Sequence, residues 1–228
     1  MDIDYYLFDL DNSLLHIPNS SEYFDKILVE TLNSISKKRI PDRTERNQLW
    51  ISGDDYYLLL KKWGVFDDEE FWNKFDLTDY HCRLPLIEDK KIYLYPDVIP
   101  LLHKLQKYNK NLAIVSNTAQ FIVEFVLETF NLTEFFHEVF ALGGGNEQEI
   151  AKPSPKGILA TLNKLDYNEE SSSAIMIGDS LVDIVAAKRA NIYACLIKRD
   201  SQKYIDGFEE WEAPPDFIIE NLEEIFNL

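Results

Sequence analysis

Cysteine is scarce, with two residues in 228, and long apolar runs are absent. Cys82 and Cys195 fit neither a CxxC pair nor a zinc-ligand spacing, which argues against a disulfide framework and a structural zinc. Cys195, inside YACLI, is expected as a buried core thiol. No stretch approaches the roughly 18 consecutive apolar residues of a membrane span. The first residues, MDIDYY, are acidic where a secretory leader would be basic, so a cytoplasmic location is expected. Positive charge is also short: 23 Lys and Arg stand against 40 Asp and Glu, a net charge of −17. Such a surface repels polyanions, which argues against nucleic acid or an anionic membrane as partner, whereas divalent cations are its natural counterions. Part of the acid is plain solvated surface, as in DDEE at 67–70 and in FEEWEAPPD. The run GGGN at 143–146 lacks the Lys and Ser/Thr of a phosphate loop and the spacing of a dinucleotide loop, and is expected as a flexible turn.

What the chain does have is apolar strands alternating with helical stretches. Ile3 to Phe8 reads as a strand, and if it continued, Asp9 and Asp11 would project to one face. About 80 residues without a convincing strand follow, beginning with a helix on which Phe24, Ile27, Leu28, Thr31, Leu32 and Ile35 share a face. Asn19 and Glu22 have the spacing of a capping box for it. Shorter helices are expected at Asp54–Trp63 and Glu69–Phe75. From Tyr95 the pattern alternates: helix Pro96–Tyr108, strand LAIVS, a helix with Phe121 and Phe125, strand EVFAL, a helix capped by Ser154, strand AIMIG, a helix through Ile184, strand YACLI, then DFII and NLEEIF. Apolar strands alternating with helices indicate a doubly wound parallel α/β sheet covered on both faces.

Parallel sheets bind ligands beyond the carboxyl ends of their strands, so the polar residues that close these strands are the candidates for chemistry. They are Asp9 and Asp11 after the first strand, Ser116 and Asn117 after LAIV, Lys152 in AKPSP, and Asp179 and Asp183 in GDSLVD. Two adjacent carboxylates are costly without a cation between them. A phosphomonoester dianion likewise repels a carboxylate nucleophile until magnesium neutralises both. Taken singly, Asp179 and Asp183 also suit a helix N-terminus, and Ser116 and Lys152 are weak signals.

In this order, DLDNSL, Ser116, Lys152 and GDSLVD resemble the four motifs of the haloacid dehalogenase superfamily of phosphohydrolases, most closely phosphoglycolate-phosphatase-like members with a helical cap. The resemblance implies a Rossmann-like core at 1–16 and 92–228 and an all-helical cap at 17–91. It implies that Asp9 attacks phosphorus to form an aspartyl phosphate and that Asp11 serves as acid and then base. It implies Mg²⁺ held by Asp9, Asp11 and Asp179, with Asp183 behind them, and phosphate contacts from Ser116, Asn117 and Lys152. The substrate would be a small phosphorylated metabolite such as a phosphoglycolate-like ester, a sugar phosphate or a nucleotide, and the protein a monomer or homodimer. A phosphomutase would use the same sheet residues, and a silent binding module the same fold; a dehalogenase would not need Asp11.

Asn12 and Asn191 stand where the superfamily commonly has glycine, and Asn is suited to the left-handed conformation. In the cap, Arg43, Arg46, Lys61, Lys62 and Arg83 are basic residues able to meet a second anionic group, and Trp50, Tyr56 and Trp72 are aromatic candidates. His16 would start the hinge.

Overall fold

The structure is a computed structural model that describes residues 3–36, 38–143, 147–200 and 213–228. Its centre is β1 (Tyr5–Phe8), whose four side chains are all buried. Alternation sends Tyr6 and Phe8 to one face, against Leu101, Leu102, Ile122 and Val126, and Tyr5 and Leu7 to the other, against Ile158, Leu162, Ile184 and Ala187. The remaining strands of this sheet are β4 (Asn111–Ala119), β5 (Glu138–Leu142), β6 (Ala174–Gly178), β7 (Tyr193–Ile197) and β8 (Phe217–Ile219). All pair in parallel, in the order β5-β4-β1-β6-β7-β8. Helices α5 (Val98–Lys107) and α6 (Gln120–Thr129) cover one face, and α7 (Lys156–Lys164) and α8 (Leu181–Arg189) the other. From β1 the chain runs outward through β4 to β5 and then crosses back to β6 on the other side of β1, so the crevice at the ends of β4, β1 and β6 is the expected ligand position.

Between β2 (Leu15–His16) and β3 (Tyr93–Leu94), which pair antiparallel, every described element is helical. These are α1 (Ser20–Ile35), α2 (Arg43–Asn47), α3 (Tyr56–Lys62) and α4 (Asp68–Glu88), with 3₁₀ turns at Gln48–Ile51 and Gly53–Asp55. They enclose an apolar cluster of their own around Ile27, Leu28, Leu32, Leu60, Phe71, Trp72 and Phe75. No described helix is long and apolar enough to cross a membrane.

Several local expectations are corrected. β1 stops at Phe8, and the chain then curls, with the amides of Ser13, Leu14 and Leu15 all donating to the Leu10 carbonyl. Asp9 and Asp11 therefore do not lie on one continuous strand. The short pair β2 and β3 interrupts a stretch expected to be purely helical on one side and to begin with Tyr95 on the other. Asn19 adopts φ 47 and makes no side-chain cap, because a left-handed residue turns its side chain away from the first-turn amides; Glu22 meets Arg43 instead. α4 runs 21 residues, far beyond Glu69–Phe75. Pro155 occupies the cap position of α7, and Ser154 Oγ accepts only a long 3.4 Å bond from the Lys156 amide. Asn12 and Asn191 take φ 57 and φ 58, as their positions require. Cys195 is fully buried, and burial pushes its thiol up to about 12. Apart from Gly143, the GGGN stretch lies outside the described residues, as does much of FEEWEAPPD.

Candidate active site

The strand ends bring Asp9 and Asp183 together on one ammonium group, that of Lys152. Lys152 Nζ, in the segment between β5 and α7, donates to Asp9 Oδ1 at 2.7 Å, to Asp183 Oδ1 at 2.6 Å and to the Val115 carbonyl at 2.7 Å. Burial opposes its charge, but Asp183 and Asp9 outweigh that and raise it above the ordinary lysine range. The lysine segment is held by Asn117, whose side-chain oxygen accepts the Lys152 amide and whose nitrogen donates to the Lys152 carbonyl, each at 2.8 Å. The Asn117 side chain thus brackets Lys152 instead of facing outward for a phosphate. Ser116 is buried within β4, next to Val115 where the pairing with β5 shifts register, and its hydroxyl accepts the Thr118 amide at 3.2 Å.

Asp183 combines two roles that looked like alternatives in the sequence. Its Oδ2 takes the Ser180 hydroxyl at 2.6 Å and the Ser180 amide at 3.1 Å, ordering the start of α8, while Oδ1 holds Lys152. Gly178 makes room for it: a Cβ there would lie 2.2 Å from the Asp183 carboxyl carbon. Carboxylate oxygens of Asp9, Asp179 and Asp183, all buried, lie within 4.8 Å of one another. Burial pushes Asp9 up to about 8; Lys152 pulls it down, and Asp183 and Asp179 push it up. Three buried carboxylates facing one lysine carry surplus negative charge, and an all-oxygen donor set of this kind suits a hard divalent cation.

Asp11 sits in a different electrostatic setting. Its carboxylate receives Arg83 Nη1 at 2.7 Å on Oδ1 and Arg83 Nη2 at 2.6 Å on Oδ2, and the Thr118 hydroxyl donates to Oδ2 at 2.9 Å. Arg83 comes from α4 and is 0% exposed. Burial works against its charge, yet Asp11 and Asp79 together keep it firmly protonated. In place of one shared cation between the two acids of DLDNSL, each acid has its own cationic side chain, Lys152 for Asp9 and Arg83 for Asp11. Thr118, Asp79 and the pairing of Arg83 with Asp11 were not foreseen. The Asp79/Arg83 spacing of four on one helix was the available signal.

The other basic cap residues are occupied elsewhere: Arg43 with Glu22, Arg46 with Asp25, Lys62 with Glu45, and Lys61 over the Tyr57 ring. Tyr56 and Trp72 pack in the cap core, while Trp50 is partly exposed against Phe24 and Phe75. His16 bonds Tyr95 through Nδ1 at 3.3 Å and packs on Tyr93 across the β2/β3 pair. A cleft of about 280 Å³ opens between α4 and the start of α6, lined by Asn73, Asp76, Ala119, Gln120, Phe121 and Glu124.

Known proteins resemble the chain over most of its length. The family model described as haloacid dehalogenase-like hydrolase matches residues 6–197. The phosphoglycolate phosphatase of Aquifex aeolicus is 30% identical over 191 residues, covering 83% of this chain and 82% of that protein. The pyrophosphatase PpaX of Bacillus cereus is 25% identical over 228 residues, covering 99% and 95%. Among solved structures, CbbY from Rhodobacter sphaeroides in complex with phosphate superposes with a TM-score of 0.72 at 21% identity, covering 98% of this chain and 96% of that one, a likeness of fold. The chain belongs to the haloacid dehalogenase-like hydrolase family.

Proposed function

We propose that this protein is a magnesium-dependent phosphatase of small phosphomonoesters, with residues 1–16 and 92–228 as the catalytic core and 17–91 as its cap. The observation that carries the reading is the convergence of Asp9, Asp179 and Asp183 on one another, with Asp9 and Asp183 also held by Lys152. Relatives named phosphoglycolate phosphatase and pyrophosphatase support phosphoryl transfer as the chemistry.

In this reading Asp9 is the nucleophile. Its Oδ1 is fixed by Lys152, and its Oδ2, touched by the Ser13 hydroxyl at 3.4 Å, attacks phosphorus in line to give an aspartyl phosphate. Asp11 gives a proton to the leaving oxygen and later takes one from the water that hydrolyses the aspartyl phosphate. Lys152 and the Ser116 hydroxyl stabilise the charge that grows on the phosphoryl oxygens. Asp9, Asp179 and the Asp11 backbone carbonyl would hold the magnesium, which supplies charge neutralisation between nucleophile and phosphate. Asp183 keeps Lys152 oriented.

The leaving group would extend into the cleft between α4 and α6, whose lining offers amides, acids and one ring but no basic side chain among the described residues. That lining favours a polyol, as in a sugar phosphate, over a carboxylate-bearing group. The test is hydrolysis of a metabolite phosphate panel with Mg²⁺ present. Chelator should abolish turnover and added Mg²⁺ restore it, and Asp9→Asn should lower kcat by at least about a thousandfold. Turnover retained by Asp9→Asn would remove the nucleophile assignment.

A further inference from the structure

Asp11 is held from two directions that belong to different parts of the molecule. From the core, Thr118 in β4 gives it one hydrogen bond. From the cap, Arg83 gives it two, and Arg83 is itself gripped by Asp79, through Nε and Nη2, each at 2.9 Å. Asp79 is fixed in turn by the Tyr23 hydroxyl of α1 at 2.6 Å. An unbroken polar chain therefore runs Tyr23–Asp79–Arg83–Asp11–Thr118, from the packed pair α1 and α4 into the strand ends of the core.

We propose that Arg83 is a positioning residue for the acid/base Asp11, delivered by the cap, so that Asp11 is aimed at the leaving-group oxygen only when the cap is seated on the core. The inference rests on the phosphatase reading above. Two alternatives fit the geometry less well. As a staple, a buried Asp–Arg–Asp triad is a poor choice, because desolvating three charges costs about what their attraction returns, and apolar side chains of similar size would serve. As a substrate-binding cation, Arg83 is already shared between two carboxylates, with its Nη1, Nη2 and Nε all engaged. What the bidentate fork does supply is orientation: it fixes the plane of the Asp11 carboxylate, which a single hydroxyl bond does not. Misorienting an acid by about an ångström is enough to weaken proton transfer severely.

A residue that acts through the acid/base should matter in proportion to how much the leaving group needs a proton. Arg83→Lys keeps the charge and loses the fork. The readout is kcat/KM, which ends with formation of the aspartyl phosphate and so leaves out the later hydrolysis, where Asp11 acts as base whichever ester was used. With p-nitrophenyl phosphate, whose leaving group departs as an anion, kcat/KM should stay within about threefold of wild type. With phenyl phosphate, a much poorer leaving group, kcat/KM should fall about thirtyfold. Asp79→Asn, which loosens the guanidinium without touching Asp11, should show the same selectivity at about fivefold, and it decides the matter should Arg83→Lys fail to fold. In an Asp11→Asn background, Arg83→Lys should add no further selective loss, as expected of two residues working as one unit. Equal losses of kcat/KM on both esters, or none on phenyl phosphate, would overturn the inference while leaving the phosphatase intact. A wild-type protein inactive on both esters with Mg²⁺ would instead overturn the underlying phosphatase reading.

Discussion

Gly178 illustrates how closely the site is fitted at the scale of single residues. The strand must end on a residue without a side chain because the Asp183 carboxyl fills that space. Gly178→Ala should push Asp183 away from Lys152, lowering kcat by at least about tenfold and reducing stability by about 2 kcal/mol, read by steady-state kinetics and urea unfolding. Asp76 gives a second residue-scale expectation. Burial, reinforced by Asp79 and opposed by Arg83, raises it to about 7 from an ordinary value near 4. The folded protein then binds a proton that the unfolded chain has released, so stability is greatest below that ordinary value and declines as pH rises toward 7. Allowing for partial exposure, the decline is about 1–2 kcal/mol, and Asp76→Asn should flatten it in denaturation curves taken across that range. That Asp9, Lys152, Asp179 and Asp183 lie together was legible only from the set, since they follow apolar strands in turn although Lys152, Asp179 and Asp183 are each weak signals alone. Thr118 and Asp79 could not be picked out, since their importance depends on which carboxylate or guanidinium comes to lie beside them in space.

At the scale of elements, the short pair β2 and β3 is inconspicuous in sequence and well braced in structure. Two strands of two residues each are too short to show alternation, so β2 and β3 left no pattern to read. Their position is fixed by Arg199, just after β7, which donates to the Ser13 carbonyl at 2.9 and 3.1 Å and to both oxygens of Asp97 at 2.7 and 2.9 Å. Its guanidinium also lies 4.0 Å from the Tyr95 ring centroid, and Asp97 accepts the Leu222 amide at 2.8 Å. Arg199→Met would leave Asp97 buried without its cation. A loss of about 3 kcal/mol in stability is expected, with faster amide hydrogen exchange concentrated at 13–16 and 93–97 as the signature of a loosened β2/β3 pair. The length of α4 was hidden for a related reason. Past Phe75 its buried positions include Asp79 and Arg83, and Pro85 follows inside the helix, so the apolar stripe that marks a helix disappears where the helix turns its polar side chains inward.

Over the whole molecule, the two-faced burial of β1 was legible because every strand of the sheet core reads as a short apolar run and every covering helix carries one apolar face. The order of the strands was not, since nothing in a run of valines and isoleucines records which neighbour it pairs with; the order β5-β4-β1-β6-β7-β8 comes from the structure alone. The surplus of acid is spread over the surface, yet its most consequential portion is the buried cluster beside Lys152.

The separate provision of a cation for each acid has a consequence for anyone who would re-engineer substrate choice. An insert transplanted from a relative would bring a new binding cleft while leaving Asp9 and Lys152 undisturbed, but it would strip Asp11 of two of its three described hydrogen bonds unless the donor carried an aspartate–arginine pair at the matching turn of its last helix. Chimeras of this fold should therefore be chosen on that turn first and on the pocket second.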